Sequence, residues 1–317
     1  MSPSADDRRI RNLRPATQAV DPWKPHGAIL EPERRPDGVV EQALTVFLSG
    51  AECVFTCAFC DLWRWTFDGA TPAGALPRQL RGVLHAHRGK ATAPQRLKLY
   101  NASNFFDRRA VPAEDLPTIA ALAEPFGAVT VESHAQTVGP MAREFKELLS
   151  GRLEVAIGLE TIHPVAAPQL NKKLDLPRFE RAADYLADND MDLRVFVLLG
   201  APYIAAEESV EWSARTVEYA VGKGAAVVSI IPVRGGNGEM ERLQHLGHFV
   251  PPTLRQLEAA LECSLSFGSA VVTADLWDAE RLPGCNACRA ARIARLGRMN
   301  VRGQLERAVE CAECEKP

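Results

Sequence analysis

The stretch LSGAECVFTCAFCDLWRWT, residues 48–66, places Cys53, Cys57 and Cys60 within eight positions of a 317-residue chain that has eight cysteines in all. It overlaps the apolar run LTVFLS at 44–49, which predicts a strand, so the three thiols share one loop after that strand. A zinc ion normally takes four protein ligands, and an iron–sulfur cube is usually held by four thiolates. Three thiols therefore predict a cluster with one iron left for another ligand. A zinc site completed by a distant His or Cys, or a chance cluster, is the alternative.

Beyond this loop, short apolar runs alternate with helical patterns, as in β/α units around a parallel sheet. With LTVFLS they predict an α/β fold, a partial TIM-like (β/α)6 barrel with parallel strands. The further strand candidates are RLKLYNAS (96–103), AVTVESH (128–134), LEVAIGLET (153–161), LRVFVLLGAP (193–202) and AAVVSIIPVRGG (225–236), with SAVVTADLWD (269–278) as a possible addition. Polar residues end most of these runs, and in a parallel barrel they would gather at one mouth, so we expect the site there.

Composition divides the chain into three parts. Residues 1–40 are rich in Pro and Arg and suggest an extended arm or flap; residues 41–250 hold the predicted barrel, and residues 251–317 form a C-terminal extension. A hydrophobic content of 46% and a net charge of −3 fit a soluble globular protein, with no overall bias towards nucleic acid or membranes. The sequence has no secretory signal and no apolar run of membrane-spanning length, so we expect a cytoplasmic protein that does not bind membranes.

The spacing Cys-x3-Cys-x2-Cys, with the aromatic Phe59 directly before the last cysteine, resembles the fingerprint of the radical S-adenosylmethionine superfamily. The resemblance implies a [4Fe-4S] cluster on Cys53, Cys57 and Cys60, whose open iron is chelated by the amino and carboxylate groups of S-adenosylmethionine. In that family an electron from the cluster cleaves the sulfonium to methionine and a 5'-deoxyadenosyl radical, which abstracts hydrogen from a substrate. A flavodoxin- or ferredoxin-type reductant is the implied partner.

The same resemblance assigns contacts with the cofactor to Phe59 of the cysteine loop and to residues near the predicted strands. Asn101 and Ser103, in YNASNFF, correspond to the segment that usually contacts the methionine amino group, although the motif departs from the Gly-Gly-Glu form of many members. Glu132 and Glu160 end the next two strands and resemble positions that contact ribose or amine. Arg194 opens the following strand and could meet the carboxylate. No catalytic residue is assigned.

His134 and His163 follow the two glutamates closely in the sequence. Either one could donate a proton or contact the substrate. A lone histidine beside a strand end is more often a structural hydrogen-bonding group, so both readings stay open.

A narrower resemblance covers about residues 44–245. The segments KLYNASNFFD (98–107), GLET (158–161) and EMERL (239–243) resemble radical enzymes related to the tRNA-acting elongator subunit, and within that group the radical subunit of archaeosine synthase. This resemblance implies a tRNA nucleoside as substrate and tRNA as a partner. A small metabolite is the alternative substrate.

The tail carries two Cys-x2-Cys knuckles, CNAC with Cys285 and Cys288, and CAEC with Cys311 and Cys314. Paired knuckles predict a metal site, either zinc or a second iron–sulfur cluster. Six arginines lie between the outer cysteines; they could contact RNA phosphates or could be a solvated helix face. A non-catalytic, metal-stapled RNA-binding protein, with zinc at both cysteine sets, is therefore the competing interpretation. The eighth cysteine, Cys263, is expected to be a buried apolar residue.

Overall fold

The computed structural model describes residues 4–17, 19–87, 94–268 and 270–314. Its strands are β1 (Gly27–Arg34), β2 (Val40–Phe47), β3 (Gly50–Ala51), β4 (Thr66–Phe67), β5 (Arg96–Tyr100), β6 (Ala128–Glu132), β7 (Arg152–Glu160), β8 (Asp192–Leu199), β9 (Ala225–Pro232) and β10 (Val271–Ala274). One large sheet has the order β1-β2-β5-β6-β7-β8-β9-β10, and β3 pairs with β4 separately. Strand β1 is antiparallel to β2, whereas the other neighbours in the large sheet are parallel.

The large sheet curls into a half-barrel. Glu33 of β1 forms an ion pair with Arg194 of β8, although these strands are five places apart in the sheet order. In a flat sheet five intervals of about 4.8 Å would separate them by about 24 Å. The contact is possible only because the sheet curves enough to bring inward-facing side chains of β1 and β8 together.

The helices are α1 (Ala5–Leu13), α2 (Ala75–His87), α3 (Leu116–Ala123), α4 (Pro140–Leu148), α5 (Ala166–Gln169), α6 (Leu176–Asp188), α7 (Ser209–Gly222), α8 (Glu239–His245), α9 (Leu254–Ser264) and α10 (Arg289–Arg302). Long helices between the strands cover the outer face of the half-barrel, whereas α1 lies at the mouth, where Asp7 bonds to Thr56 and Asn171. Capping residues fix where several helices begin. The Asp175 side chain accepts from the backbone N–H of Arg178 at the start of α6, and Thr253 with Gln256 forms a capping box at the start of α9. Strand residues such as Leu97, Leu99 and Val129 are fully buried beneath these helices.

The inner face carries charges near the amino ends of the strands. Arg96 Nε lies 2.7 Å from Glu41, Lys98 Nζ lies 2.7 Å from Glu33, and Arg194 Nε lies 2.6 Å from Glu154. Because a buried charge is tolerated when it is paired and hydrogen-bonded, this network fills the lower half of the barrel. The opposite mouth, at the carboxyl ends, is left for a ligand.

Helix α10 packs against both β1 and β10, the two edge strands of the large sheet. Its Asn300 side chain donates to the carbonyl of Ala274 and accepts from the N–H of the same residue, each at 2.8 Å. An unpaired edge strand presents free backbone groups, and Asn300 satisfies two of them on β10. Helix α10 therefore covers the seam between the two edges.

The predicted partial barrel is confirmed, with all six predicted strands and the possible further strand, β10, present. The sequence interpretation missed β1, because GAILEPER lies within residues 1–40 and its inward glutamates find partners only in the closed barrel. That part of the chain, expected to be an extended arm, also contains α1. Cys263 is exposed rather than buried, because Leu257, Leu261 and Ser264 form the inward face of α9. Within the described residues, no helix has both the length and the apolar content needed to cross a membrane.

Candidate cluster and cofactor site

The loop with Cys53, Cys57 and Cys60 follows β2 and β3 at the carboxyl end of the half-barrel, and all three side chains are partly buried. Burial raises the pKa of each thiol, that of Cys57 to about 12. Only thiolates bind metals strongly, so these side chains must release their protons when a metal or cluster binds. Cys53 Sγ already accepts hydrogen bonds from the backbone N–H of Phe55 (3.4 Å) and from Asn104 Nδ2 (3.3 Å).

Two distant segments, the one with Leu170 and Asn171 and the one with Asn237, hold the backbone of this loop. The N–H of Ala58 donates to the carbonyl of Leu170 (2.9 Å). The amide of Asn237, after β9, donates to the carbonyls of Ala58 (2.8 Å) and Cys60 (3.1 Å). The amide of Asn171 donates to the carbonyl of Thr56 at 2.8 Å. A loop fixed at so many points can present its thiols in one arrangement before any metal binds.

The three loop thiols are one ligand short of a closed zinc site, which takes four protein ligands. Among the described residues, the four tail cysteines form the group of side chains that could hold a single metal ion, and the loop thiols do not form such a group. The loop therefore fits a cluster with one iron left for another ligand better than a closed zinc site.

Next to this loop, the turn after β5 contains polar atoms without partners. Asn101 is 0% exposed, and in the described part of the chain neither its Nδ2 nor its Oδ1 has a hydrogen-bond partner; the same is true of Ser103 Oγ. Leaving such groups unpaired costs about 1–3 kcal/mol each, so a missing ligand is the simplest explanation. Ala102 between them has φ 53°, in the left-handed region that favours glycine. The residues present therefore fit a bound polar cofactor.

A second strained region lies at the end of β7. Glu160 has φ 69° at a β-bulge, and Asn171 and Lys173, with φ 54° and 60°, flank Lys172. Lys172 Nζ lies 2.6 Å from Glu160 Oε1. Burial alone would lower the pKa of Lys172, but Glu160 and the neighbouring thiols raise it, so the lysine stays charged. Strained residues concentrate at functional sites. With Ala102, four of the seven non-glycine residues with positive φ in the described chain belong to this candidate site.

Glu132, at the end of β6, faces the same space. Burial raises its pKa to about 8, although Lys172 and Lys98 act in the opposite direction. A carboxyl group held partly protonated near neutral pH can both donate and accept hydrogen bonds. The structure therefore brings Glu132 and Glu160 to one region, with Lys172 near both.

His134 has a structural role in this region. Burial lowers its pKa to about 3, so the ring is neutral. Its Nδ1 accepts from the N–H of Gln136 (3.1 Å), which leaves Nε2 to donate to the carbonyl of Lys172 (3.0 Å). Its ring also stacks on Phe55 of the cysteine loop, with ring centroids 3.9 Å apart. His163 likewise accepts backbone N–H groups, those of Val165 and Ala166.

Two of the sequence assignments stand apart from these contacts. Arg194 lies near the amino end of β8, where its guanidinium contacts Glu154 and Glu33 in the buried network. The structure does not bring it to the mouth, and its Nε and Nη2 donate to these two glutamates, contrary to the expectation that it meets a cofactor carboxylate. Phe59 packs with a small apolar cluster beside the loop, and Lys172 Nζ lies 5.9 Å from its ring centroid.

Aromatic side chains line the inner wall near the mouth. Phe47 ends β2 and lies 5.0 Å, between ring centroids, from Trp277. Tyr100 ends β5 and lies 6.3 Å from both Phe47 and Phe196. Phe47, Phe196 and Trp277 are only partly buried, so their faces are open to an occupant.

The tail brings Cys285, Cys288, Cys311 and Cys314 together, with all four sulfurs within 4.8 Å of one another. The arginines of the tail are not an unpaired patch. Arg292 and Arg295 bond to Glu258 of α9, Arg298 and Arg302 to Glu306, Arg307 to Glu310, and Arg289 to backbone carbonyls. Because Glu258 lies on α9, distant in sequence, the pattern of residues could not reveal that Arg292 and Arg295 are paired, whereas Glu306 and Glu310 lie within the tail itself.

Comparison with known proteins identifies the fold. The structure is similar to that of a radical SAM methyltransferase from Sphaerobacter thermophilus, with a TM-score of 0.53 and 16% sequence identity. The match covers 86% of this chain and 82% of the methyltransferase. Elp3 from Methanocaldococcus infernus matches 62% of this chain (TM-score 0.49, 13% identity), and HemN from Escherichia coli, a radical SAM enzyme, matches 69% (0.44, 12%). The chain spans about half the length of these two, 51% and 50%. No family model and no curated protein sequence matches it. The chain has the fold of radical SAM enzymes.

The sequence interpretation missed several residues of the site. Asn104 lies inside the segment YNASNFF, from which only Asn101 and Ser103 were chosen. Its contact with Cys53 could not be seen because the two residues are far apart in the sequence. Lys172 and Asn171 belong to the loop after α5, and Asn237 to the loop after β9. No periodicity marks such positions, since they matter only because these loops fold back over the mouth.

Proposed function

We propose that this protein is a radical S-adenosylmethionine enzyme. Cys53, Cys57 and Cys60 would hold a [4Fe-4S] cluster, and Asn101, Ser103, Glu132 and Glu160 would surround the cofactor. When bound, the cluster supplies an electron that cleaves S-adenosylmethionine to methionine and a 5'-deoxyadenosyl radical, which abstracts hydrogen from the substrate. A flavodoxin- or ferredoxin-type protein would supply the electron in a reducing cytoplasm.

One observation carries this proposal: a loop with three thiols and no fourth lies beside unpartnered polar groups of the turn after β5. Asn104 of that turn contacts Cys53, and Asn101 three residues earlier is fully buried with its amide unpaired. A structural metal site would need a fourth ligand and would have no use for empty hydrogen-bonding groups beside it. An open iron and a polar cofactor account for both features.

The other residues have roles that follow from their contacts. Lys172 puts a positive charge near the thiols and offsets the negative charge that three thiolates add to a cluster. Asn104 and the N–H of Phe55 direct hydrogen bonds at Cys53, and such bonds influence the reduction potential of a cluster. Asn171 and Asn237 fix the loop backbone, and thereby the direction of the thiols.

For the substrate, we propose a tRNA nucleoside. The aromatic wall of Phe47, Tyr100, Phe196 and Trp277 supports it, because a flat base stacks well on partly open aromatic rings. The tail arginines do not support it, because they are paired within the fold. A small metabolite with a flat ring would use the same wall, so the substrate needs its own assay, with tRNA and free nucleosides compared.

The test of the proposed chemistry is formation of 5'-deoxyadenosine. Protein reconstituted without oxygen with iron and sulfide is reduced with dithionite and given S-adenosylmethionine. Cys57→Ala should lose the product, while Cys263→Ala, which removes an exposed cysteine outside both sets, should match the parent. Zinc in the loop of the parent, with no cluster after reconstitution, would overturn the proposal and favour the non-catalytic RNA-binding interpretation.

A further inference from the structure

The four tail cysteines form a second site, which supplies four thiols where the loop supplies three. Across the two knuckles, Cys285 Sγ lies 4.0 Å from Cys311 Sγ, and Cys288 Sγ lies 3.7 Å from Cys314 Sγ. No pair among the four sulfurs is separated by more than 4.8 Å.

These distances discriminate between the two metals that the sequence left open. Four sulfurs around one tetrahedral ion, with bonds of about 2.3 Å, form a tetrahedron with edges of about 3.8 Å. In a four-iron cube each thiolate binds a different iron and points outward, so the sulfurs must stand farther apart than around a single ion. The tail sulfurs are at the single-ion spacing.

We propose that Cys285, Cys288, Cys311 and Cys314 bind one zinc ion, and that this site does not hold an iron–sulfur cluster. Four thiolates with no open position are the ligand set of a closed, structural zinc site. The proposal does not depend on the radical chemistry, because the site shares no residue with the loop.

Neighbouring side chains suit a thiolate site of net negative charge. Four thiolates around a divalent cation carry two excess negative charges. Arg292 Nε donates to Cys288 Sγ at 3.0 Å, and the same guanidinium pairs with Glu258 of α9. Such an outer partner orients a ligand and stabilises its charged form.

The site also has a structural consequence for the half-barrel. Cys288 occupies the residue directly before α10, and Arg295 of that helix donates to the carbonyl of Arg307 (2.9 Å), just before the second knuckle. One ion would tie the start of α10 to the end of the tail. Because α10 spans β1 and β10, the ion would hold the cover of the seam in place.

The first experiment measures metal in the full chain with Cys53, Cys57 and Cys60 all changed to Ala, so that the loop cannot contribute. The protein is offered iron, sulfide and zinc together without oxygen, desalted and analysed. We expect one zinc per chain with no acid-labile sulfide. Iron with sulfide, iron alone, or four thiols that stay free of metal would each overturn the proposal.

A second measurement covers the chance that a tail variant fails to fold. Cobalt exchanged into the unsubstituted tail should give the intense visible absorption of a tetrahedral thiolate site, and an octahedral spectrum would contradict four-thiolate ligation.

Adding Cys311→Ser to the triple variant should abolish zinc retention and lower the unfolding temperature. Adding Cys263→Ser instead should change neither, since Cys263 belongs to no cluster. Zinc retained fully after Cys311→Ser would overturn the assignment.

Discussion

Gly158 lies beneath the ion pair that joins the end of β7 to the loop after α5. A Cβ at this position would meet Glu160 Oε1 and would lie 2.6 Å from Lys172 Nζ. The space above Gly158 is thus occupied by the two charged groups themselves. Glycine is required here because the pair lies directly on the strand.

We therefore predict that Gly158→Ala displaces Lys172 and Glu160 and lowers the affinity for S-adenosylmethionine about tenfold or more, a cost of about 1.4 kcal/mol. Equilibrium binding to reconstituted protein would measure it, with iron content as a check that the loop still holds its cluster. Gly82→Ala is the control, because a Cβ there has open space and alanine favours a helix. Equal affinity of the Gly158→Ala and parent proteins would contradict the role of the pair.

Glu132 makes a prediction about pH. Its pKa rises from 4.5 to about 8 on burial, so the folded protein holds this proton more tightly than the unfolded chain. The resulting stabilisation is complete below pH 4.5 and is lost as the pH rises through 8. Glu132→Gln cannot ionise, and we predict that it is more stable than the parent at pH 8 by about 1–3 kcal/mol.

Urea unfolding of protein without the loop cluster, from pH 5 to pH 8, would test this. The advantage of Glu132→Gln should grow across that range, while the exposed Glu218→Gln on α7 should follow the parent at every pH. A constant difference between the Glu132→Gln and parent proteins would show that the carboxyl does not titrate in this window.

Among the elements, β1 depends most on the closed barrel. Its Glu33 contacts Lys98 and Arg194, and Arg96 Nε lies 3.7 Å away. Burial alone would raise the pKa of Glu33, but the three cations lower it. The stabilisation from this carboxylate is therefore present above pH 4.5 and is lost as the pH falls below that value.

Removing the charge of Glu33 should leave buried cations without a partner. We predict that Glu33→Gln destabilises the protein by about 3–5 kcal/mol at pH 7, and by less in acid, where the parent loses the same interaction. Chemical denaturation at the two pH values would measure both effects. Glu147→Gln, which removes an exposed pair at 3.7 Å from Arg143, should change stability by no more than about 0.5 kcal/mol. A similar small effect for Glu33→Gln would mean that the network is not structural.

Element by element, the alternation of apolar runs was enough to predict the parallel strands, because buried strands beneath helices are apolar on their outward face. It was not enough for β1, whose Glu31 and Glu33 point inward and look like a polar surface in the sequence. The pairing of Arg292 and Arg295 of α10 with Glu258 of α9 escaped prediction for the same reason. Partners supplied by distant elements leave no local pattern.

At the scale of the whole molecule, the fold divides the half-barrel into two levels. Charged pairs fill the amino ends of the strands, and the cysteine loop, the unpartnered amide of Asn101 and the Lys172–Glu160 pair meet at the carboxyl ends. Spacing pointed to the three thiols, and the family resemblance pointed to Asn101, Glu132 and Glu160 at the strand ends. The convergence of these groups with Lys172 depends on loop paths that no single segment encodes.

The proposed activity requires an iron in the loop that is open to S-adenosylmethionine. The most direct measurement is the electron paramagnetic resonance spectrum of the reduced cluster, recorded before and after the cofactor is added. It would use the triple tail variant Cys285→Ser, Cys311→Ser, Cys314→Ser alongside the parent, so that any second metal is excluded. The account predicts a shifted spectrum in both proteins, from a cluster that Cys57→Ala abolishes. A fully reduced cluster whose spectrum does not change with saturating S-adenosylmethionine would contradict it.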